Sequence, residues 1–233
     1  MVRGFLQERR HTYIMKRILC YGDSNTWGAV PLADPAAEGQ RHDDHTRWCG
    51  VMRDVLGDGF TVLEDGLNGR TTIYGGAEDA YKNGEPTLLP SLQAAAPLDL
   101  VIIMLGTNDL RLDRGVTDDT LDKGIRRLID IVQAHPECGQ DGSAPQVLVI
   151  SPIHIAVPTG RQDFYEARGC ETGVRRSVAC AALYARAAAD TGCAFMDAAQ
   201  FAHASPLDAL HMEAPDHLSL GKAAAAKVRE IFA

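Results

Sequence analysis

The sequence predicts a three-layer α/β/α sandwich around a five-stranded parallel sheet. Three observations carry this expectation. Short apolar segments of strand character alternate along the chain with longer segments of helical periodicity, with no internal repeat and no linker-like stretch. Leu100-Val101-Ile102-Ile103-Met104-Leu105 is apolar without alternation, as a parallel strand covered on both faces should be. The polar clusters that follow the strands would all meet on one edge of such a sheet, the edge where open α/β folds bind ligands. A flavodoxin-like strand order of 2-1-3-4-5 is expected, with residues 16–233 as a single domain and 1–15 as an extension.

Composition bounds the function. A chain of 233 residues with 45% hydrophobic and 23% charged residues is long enough to bury one sizeable core. Its formal net charge of −8 argues against nucleic acid or an anionic membrane as partner, and no apolar run approaches the roughly 18 residues of a membrane span. Residues 1–15 carry Arg3, Glu8, Arg9, Arg10 and His11 without an apolar block of signal-peptide length, which argues for a cytoplasmic location, with Met15 as an alternative start. The six cysteines are scattered without C-x-x-C spacing and read as core residues or surface thiols. His42-Asp43-Asp44-His45 reads as a solvated loop, so neither a metal nor another cofactor is expected.

In chain order, strand one spans about Arg17 to Tyr21 and runs into Gly22-Asp23-Ser24-Asn25-Thr26-Trp27-Gly28. A helix follows, with Trp48, Val51, Met52, Val55 and Leu56 at helical spacing and Gly57 as its stop. Phe60 to Glu64 is strand two, ending in the Gly66-Leu67-Asn68-Gly69 turn. A looser segment containing Gly84 and Pro86 precedes a short helix around Leu88 to Ala95. Strand three enters Gly106-Thr107-Asn108-Asp109, and an amphipathic helix from Thr117 ends near His135-Pro136. Strand four, Val147 to Ile150, leads into a loop over 153–170 that is placed to wall a pocket. A long Ala-rich helix over about Glu171 to Asp190, strand five at Ala194 to Asp197 and a last helix from Ser219, capped by that serine, complete the chain.

Ser24 after strand one, Gly69 after strand two, Asn108 after strand three and Asp208 with His211 after strand five are therefore expected to converge. Acyl transfer requires a nucleophile, a base in hydrogen-bond reach, an acid that orients the base, and donors for the tetrahedral oxyanion. Ser24 has the chemistry of the nucleophile, His211 of the base and Asp208 of the orienting acid. The Ser24 and Gly69 N–H groups and the Asn108 amide have that of the oxyanion donors. Ser24 as a mere helix N-cap is the competing reading. His217 is a rival base, although Ala214 stands three residues before it where an acid is needed.

The four blocks Gly22-Asp23-Ser24, Gly66-Leu67-Asn68-Gly69, Gly106-Thr107-Asn108-Asp109 and Asp208-x-x-His211 resemble those of the SGNH (GDSL-type) hydrolase superfamily. They stand in that family's order and cover Met15 to the C-terminus. Arg17 to Gly28, Gly66-Leu67 with Arg70-Thr71-Thr72, and Pro97 to Asp109 are similar to bacterial arylesterases and acyltransferases. The resemblance implies hydrolysis of short acyl esters, with acyl transfer to alcohols or peroxide as an added capacity, and a homo-oligomer whose neighbouring subunits narrow the cleft. A small ester is the expected partner, with Asn25, Trp27, Ile153, Phe164 and Leu210 as pocket residues. A carbohydrate O-acetyl esterase is the related alternative, and a non-catalytic binding domain on the same fold is the alternative of another class. Two positions depart from the pattern: Asn25 replaces a frequent Leu, and Asp-Ala-Leu-His replaces the commoner Asp-Gly-x-His. Asp109 is expected to brace its own turn.

Overall fold

A computed structural model describes residues 15–34, 36–76 and 78–233. All but Met15 of the expected N-terminal extension lies outside the described residues. The strands β1 (Lys16–Gly22), β2 (Phe60–Gly66), β3 (Leu100–Met104), β4 (Gln146–Ser151) and β5 (Ala194–Asp197) form one sheet in the order β2-β1-β3-β4-β5, every pair parallel. This is the expected order.

Side chains alternate across the sheet with the period of two that strands impose. Ile18, Cys20, Leu100, Ile102, Leu148 and Ile150 pack with α2 (Trp48–Leu56) and α7 (Ala214–Ile231) on one face. Leu19, Tyr21, Val101, Ile103, Val147 and Val149 pack on the other face with α3 (Gly84–Ala95), α4 (Asp118–Gln133) and α6 (Glu171–Thr191). With both faces covered, neither set can be polar, and that is why β3 reads as an unbroken apolar run.

Three elements differ from the sequence expectation. Helix α3 starts at Gly84, because Asn83 caps it by accepting the Glu85 N–H, and Pro86 falls in the first turn, where a missing N–H costs no helical bond. Helix α7 starts at Ala214 with Pro215 in its first turn, so Ser219 is an exposed residue inside the helix and caps nothing. The loop over 153–170 contains a one-turn helix, α5 (Asp163–Glu166).

Register positions the site. Gly22, the last residue of β1, pairs with Gly66 of β2 and Met104 of β3, so these three adjacent strands end flush and release their loops at one level. The one-turn helix α1 (Ser24–Trp27) then crosses the end of β2. A Cβ on Gly66 would stand 2.1 Å from the Trp27 nitrogen, so only glycine admits this approach. The Asp23 carboxylate, not Ser24, caps the turn, accepting the Asn25 N–H at 3.0 Å. The reading of Ser24 as the cap is thereby overturned.

Candidate active site

Ser24, released from capping, meets the block after β5. His211 Nε2 lies 2.9 Å from Ser24 Oγ, and His211 Nδ1 lies 2.7 Å from Asp208 Oδ2. The other Asp208 oxygen accepts the N–H groups of Leu210 and His211, each at 3.0 Å. Burial by itself would raise this carboxyl, but the His211 contact and the two N–H donors outweigh it and hold Asp208 below the ordinary carboxylate range. The tight Asp208–His211 turn requires Ala209 at φ +72°, a left-handed conformation that glycine adopts freely and alanine does not. That is a physical reason for glycine at this place in the commoner Asp-Gly-x-His pattern. Ala209 is fully buried among Leu110, Ile155 and Leu210, and this packing holds the strained residue in place.

Asn25 was expected in the pocket and is elsewhere. It is 3% exposed, donates Nδ2 to the Leu210 carbonyl at 3.0 Å and accepts the Met212 N–H at 3.2 Å. It therefore grips the chain on both sides of His211 and ties the turn that carries His211 to the turn that carries Ser24. Ile153 is also outside the cleft, packed in the core behind the Ser24 turn with Met104 and Met212. Both corrections have one cause: α1 turns successive side chains in different directions, and β4 continues its burial past Ser151.

The oxyanion candidates sit on two loops clamped together. Gly69 takes φ +81° after β2, and neither its N–H nor that of Ser24 donates to an acceptor among the described residues. Asn108 Nδ2 donates one proton to the Arg70 carbonyl at 3.1 Å, which leaves its second proton free. Its Oδ1 accepts from Arg168 Nη2 at 2.9 Å, so the amide cannot flip without losing both bonds. Arg168 is 2% exposed and also donates to the Thr107 and Phe164 carbonyls. Burial, reinforced by the charge of Arg111, pulls its guanidinium down to about 10. Asp109 braces the neighbouring loop, not only its own turn: it accepts the Thr72 N–H at 3.0 Å and the Thr72 hydroxyl. Burial pushes the Asp109 carboxyl up to about 6.

These groups open onto a cleft of about 340 Å³. Trp27, Phe164 and Leu210 line it as expected, and the Phe164 ring stands edge-on to His211 with centroids 6.0 Å apart. Gln40, Lys82, Arg111, Arg161 and Arg168 also line it and were missed. A lone Arg or Lys in an irregular loop has the look of a solvated residue, and no periodicity marks the ones that face inward. The four-residue His-Asp run is tied up locally, with His45 against Asp54 at 2.7 Å and Asp44 against Arg47.

His217, the rival base, lies in α7 with no exposure, its Nδ1 accepting the Trp48 N–H at 3.3 Å. Burial, together with the charges of His42, His211 and Arg47, pulls it from 6.5 down to about 3. The folded protein thus holds it neutral while the unfolded chain protonates it below 6.5. Its contribution to stability is complete above that value and is lost as the pH falls toward 3. We expect the stability gap between wild type and His217→Gln, from urea unfolding, to be about 2 kcal/mol smaller at pH 5 than at pH 7. A gap independent of pH would contradict the buried neutral state.

Known proteins share this fold. Residues 20–224 match the profile of the GDSL-like lipase/acylhydrolase family. The native aryl esterase of M. smegmatis is 36% identical, with 92% of this chain and 99% of that chain covered and a TM-score of 0.86. A carbohydrate acetylesterase from Sinorhizobium meliloti is 34% identical, with 93% and 100% covered and a TM-score of 0.86. Among curated protein sequences none matches. With the family profile spanning most of the domain and relatives above one-third identity over nearly their whole length, the chain belongs to the GDSL-like lipase/acylhydrolase family.

Proposed function

We propose that the protein is a serine carboxylic ester hydrolase that cleaves short acyl esters through an acyl-enzyme on Ser24. One observation carries this reading: the continuous Ser24–His211–Asp208 hydrogen-bonded chain, open to a cleft that also holds the Asn108 amide. Ser24 Oγ attacks the ester carbonyl while His211 Nε2 takes its proton. Asp208 keeps the Nδ1–H tautomer and stabilises the imidazolium. The oxyanion is held by the Ser24 and Gly69 N–H groups and the free Asn108 proton. His211 then returns the proton to the departing alcohol, and a water deprotonated by the same nitrogen attacks the acyl-enzyme to release the acid.

Cleft size favours short acyl groups, since about 340 Å³ lies at the small end of ligand sites. Of the p-nitrophenyl esters, acetate is expected to show the highest kcat/KM and octanoate a value at least about tenfold lower, given roughly 1–3 kcal/mol per misplaced methylene. Equal and slow turnover of acetate, butyrate and octanoate by wild type and Ser24→Ala would remove the reading. A carbohydrate O-acetyl ester is the second reading, favoured by the polar side chains of Gln40, Asn68 and Lys82 in the cleft and by the Sinorhizobium relative. Acetate release from an acetylated sugar faster than from p-nitrophenyl acetate would select it.

A further inference from the structure

The cleft has a charge opposite to that of the chain. The sequence holds 31 acidic residues against 23 Lys and Arg, yet Lys82, Arg111, Arg161 and Arg168 line the cleft, and among the described residues Asp208 is the only acid that does. Partners decide which of these charges are available. Arg111 is held in bidentate fashion by Asp113, at 3.0 and 2.8 Å, and Arg161 in the same way by Asp163, at 3.0 and 2.5 Å. Asp208 is engaged with His211.

Two cations are left over. Arg168 donates only to the neutral oxygens of Thr107, Phe164 and Asn108, and its buried charge has no carboxylate counter-ion among the described residues. Lys82 likewise makes no ion pair among the described residues. Its methylenes lie against Gly69, with Cδ 3.1 Å from where a Cβ would stand, and its Nζ is 5.5 Å from the centroid of the Tyr81 ring. An ammonium group therefore stands beside a proposed oxyanion donor, at the half-buried wall of a cleft where field lines are focused. A neutral ester gives it nothing to pair with.

We propose that the cleft selects esters that carry an anionic group, a carboxylate or an anion like it, with Lys82 as its counter-ion and the field of Arg168 adding to the attraction. This rests on Ser24 being the nucleophile of an ester hydrolase. The anion belongs to the alcohol or to the acyl side of the scissile bond, and two substrate pairs separate these sources. Acetoxybenzoate (the 3-isomer) against the matching acetoxybenzamide places the charge on the alcohol side. The phenyl half-ester of adipic acid against its primary amide places it on the acyl side.

The readout is the anion-to-amide ratio of kcat/KM in each pair, compared between proteins so that intrinsic reactivity cancels. At about 10 mM salt, where the screening length is roughly 30 Å, the ratio in at least one pair is expected to fall about fivefold from wild type to Lys82→Met. About 0.5 M salt should reduce the wild-type ratio in the same direction. Lys222→Met, which removes an exposed lysine of α7 that does not line the cleft, should keep the ratio. Ratios unchanged by Lys82→Met in both pairs, with hydrolysis still abolished by Ser24→Ala, overturn the proposal and leave the esterase reading intact. Hydrolysis of every ester no faster than by Ser24→Ala overturns both.

Discussion

Ser24→Ala and His211→Ala are each expected to lower kcat for p-nitrophenyl acetate by about three orders of magnitude or more. In the proposed mechanism Ser24 Oγ passes its proton to His211 Nε2 across 2.9 Å, so neither residue acts without the other. The double variant should accordingly be no slower than the worse single variant, within a factor of about three. His217→Gln supplies the contrast. Its side chain is buried against Trp48 and does not line the cleft, so it should lose stability while kcat stays within about threefold of wild type. A loss in His217→Gln as deep as that in His211→Ala would reassign the base. Full activity in Ser24→Ala would end the acyl-enzyme mechanism.

The second large effect belongs to the Asn108–Arg168 pair. Asn108→Ala removes one proposed oxyanion donor and should lower kcat by about 10²–10³ with KM little changed, because the donor is needed in the transition state more than in the ground state. Arg168 touches no reacting atom in this scheme and is a positioning residue. Without its Nη2 the Asn108 amide is held only by the Arg70 carbonyl and is free to swing. Arg168→Met should therefore reproduce much of the kcat loss of Asn108→Ala. It also leaves the Thr107 and Phe164 carbonyls unpaired, so a fall in urea midpoint is expected alongside. The decisive comparison is the double variant. If Arg168 acts through Asn108, adding Arg168→Met to Asn108→Ala should cost less than about threefold more in kcat. Fully multiplicative losses would show that Arg168 acts independently.

The reach of the sequence differs between the two halves of this site. Ser24, Asp208 and His211 were legible because their chemistry and spacing are local. An acid three residues before a histidine can form the 2.7 Å contact within one turn, and a serine after an apolar strand emerges at the sheet edge. Gly69 and Asn108 were legible for the same reason, each standing in a turn directly after a strand. Asn25 was misplaced because its role depends on residues 185 and 187 positions away, Leu210 and Met212. Arg168 and Lys82 were invisible because an isolated cation in a loop, or at the end of a single 3-10 turn as Lys82 is, carries no period that tells inward from outward.

The same division holds for the fold. The number of strands, their parallel pairing and the helices between them followed from apolar period and turn chemistry, since a both-faces-covered strand and an amphipathic helix leave different patterns in a single chain. The true starts of α3 and α7 did not. Pro86 and Pro215 have the appearance of breakers, yet each sits in a first turn whose N–H needs no helical partner. By itself the sequence determined the architecture and pointed to a nucleophile, an acid, oxyanion donors and two rival histidines, each from a pattern within a few residues. Only the tertiary structure decided which histidine meets Ser24, which asparagine faces the cleft and which cations remain unpaired in it. Those depend on distances between loops brought together by the flush ends of β1, β2 and β3, and no local pattern encodes such distances.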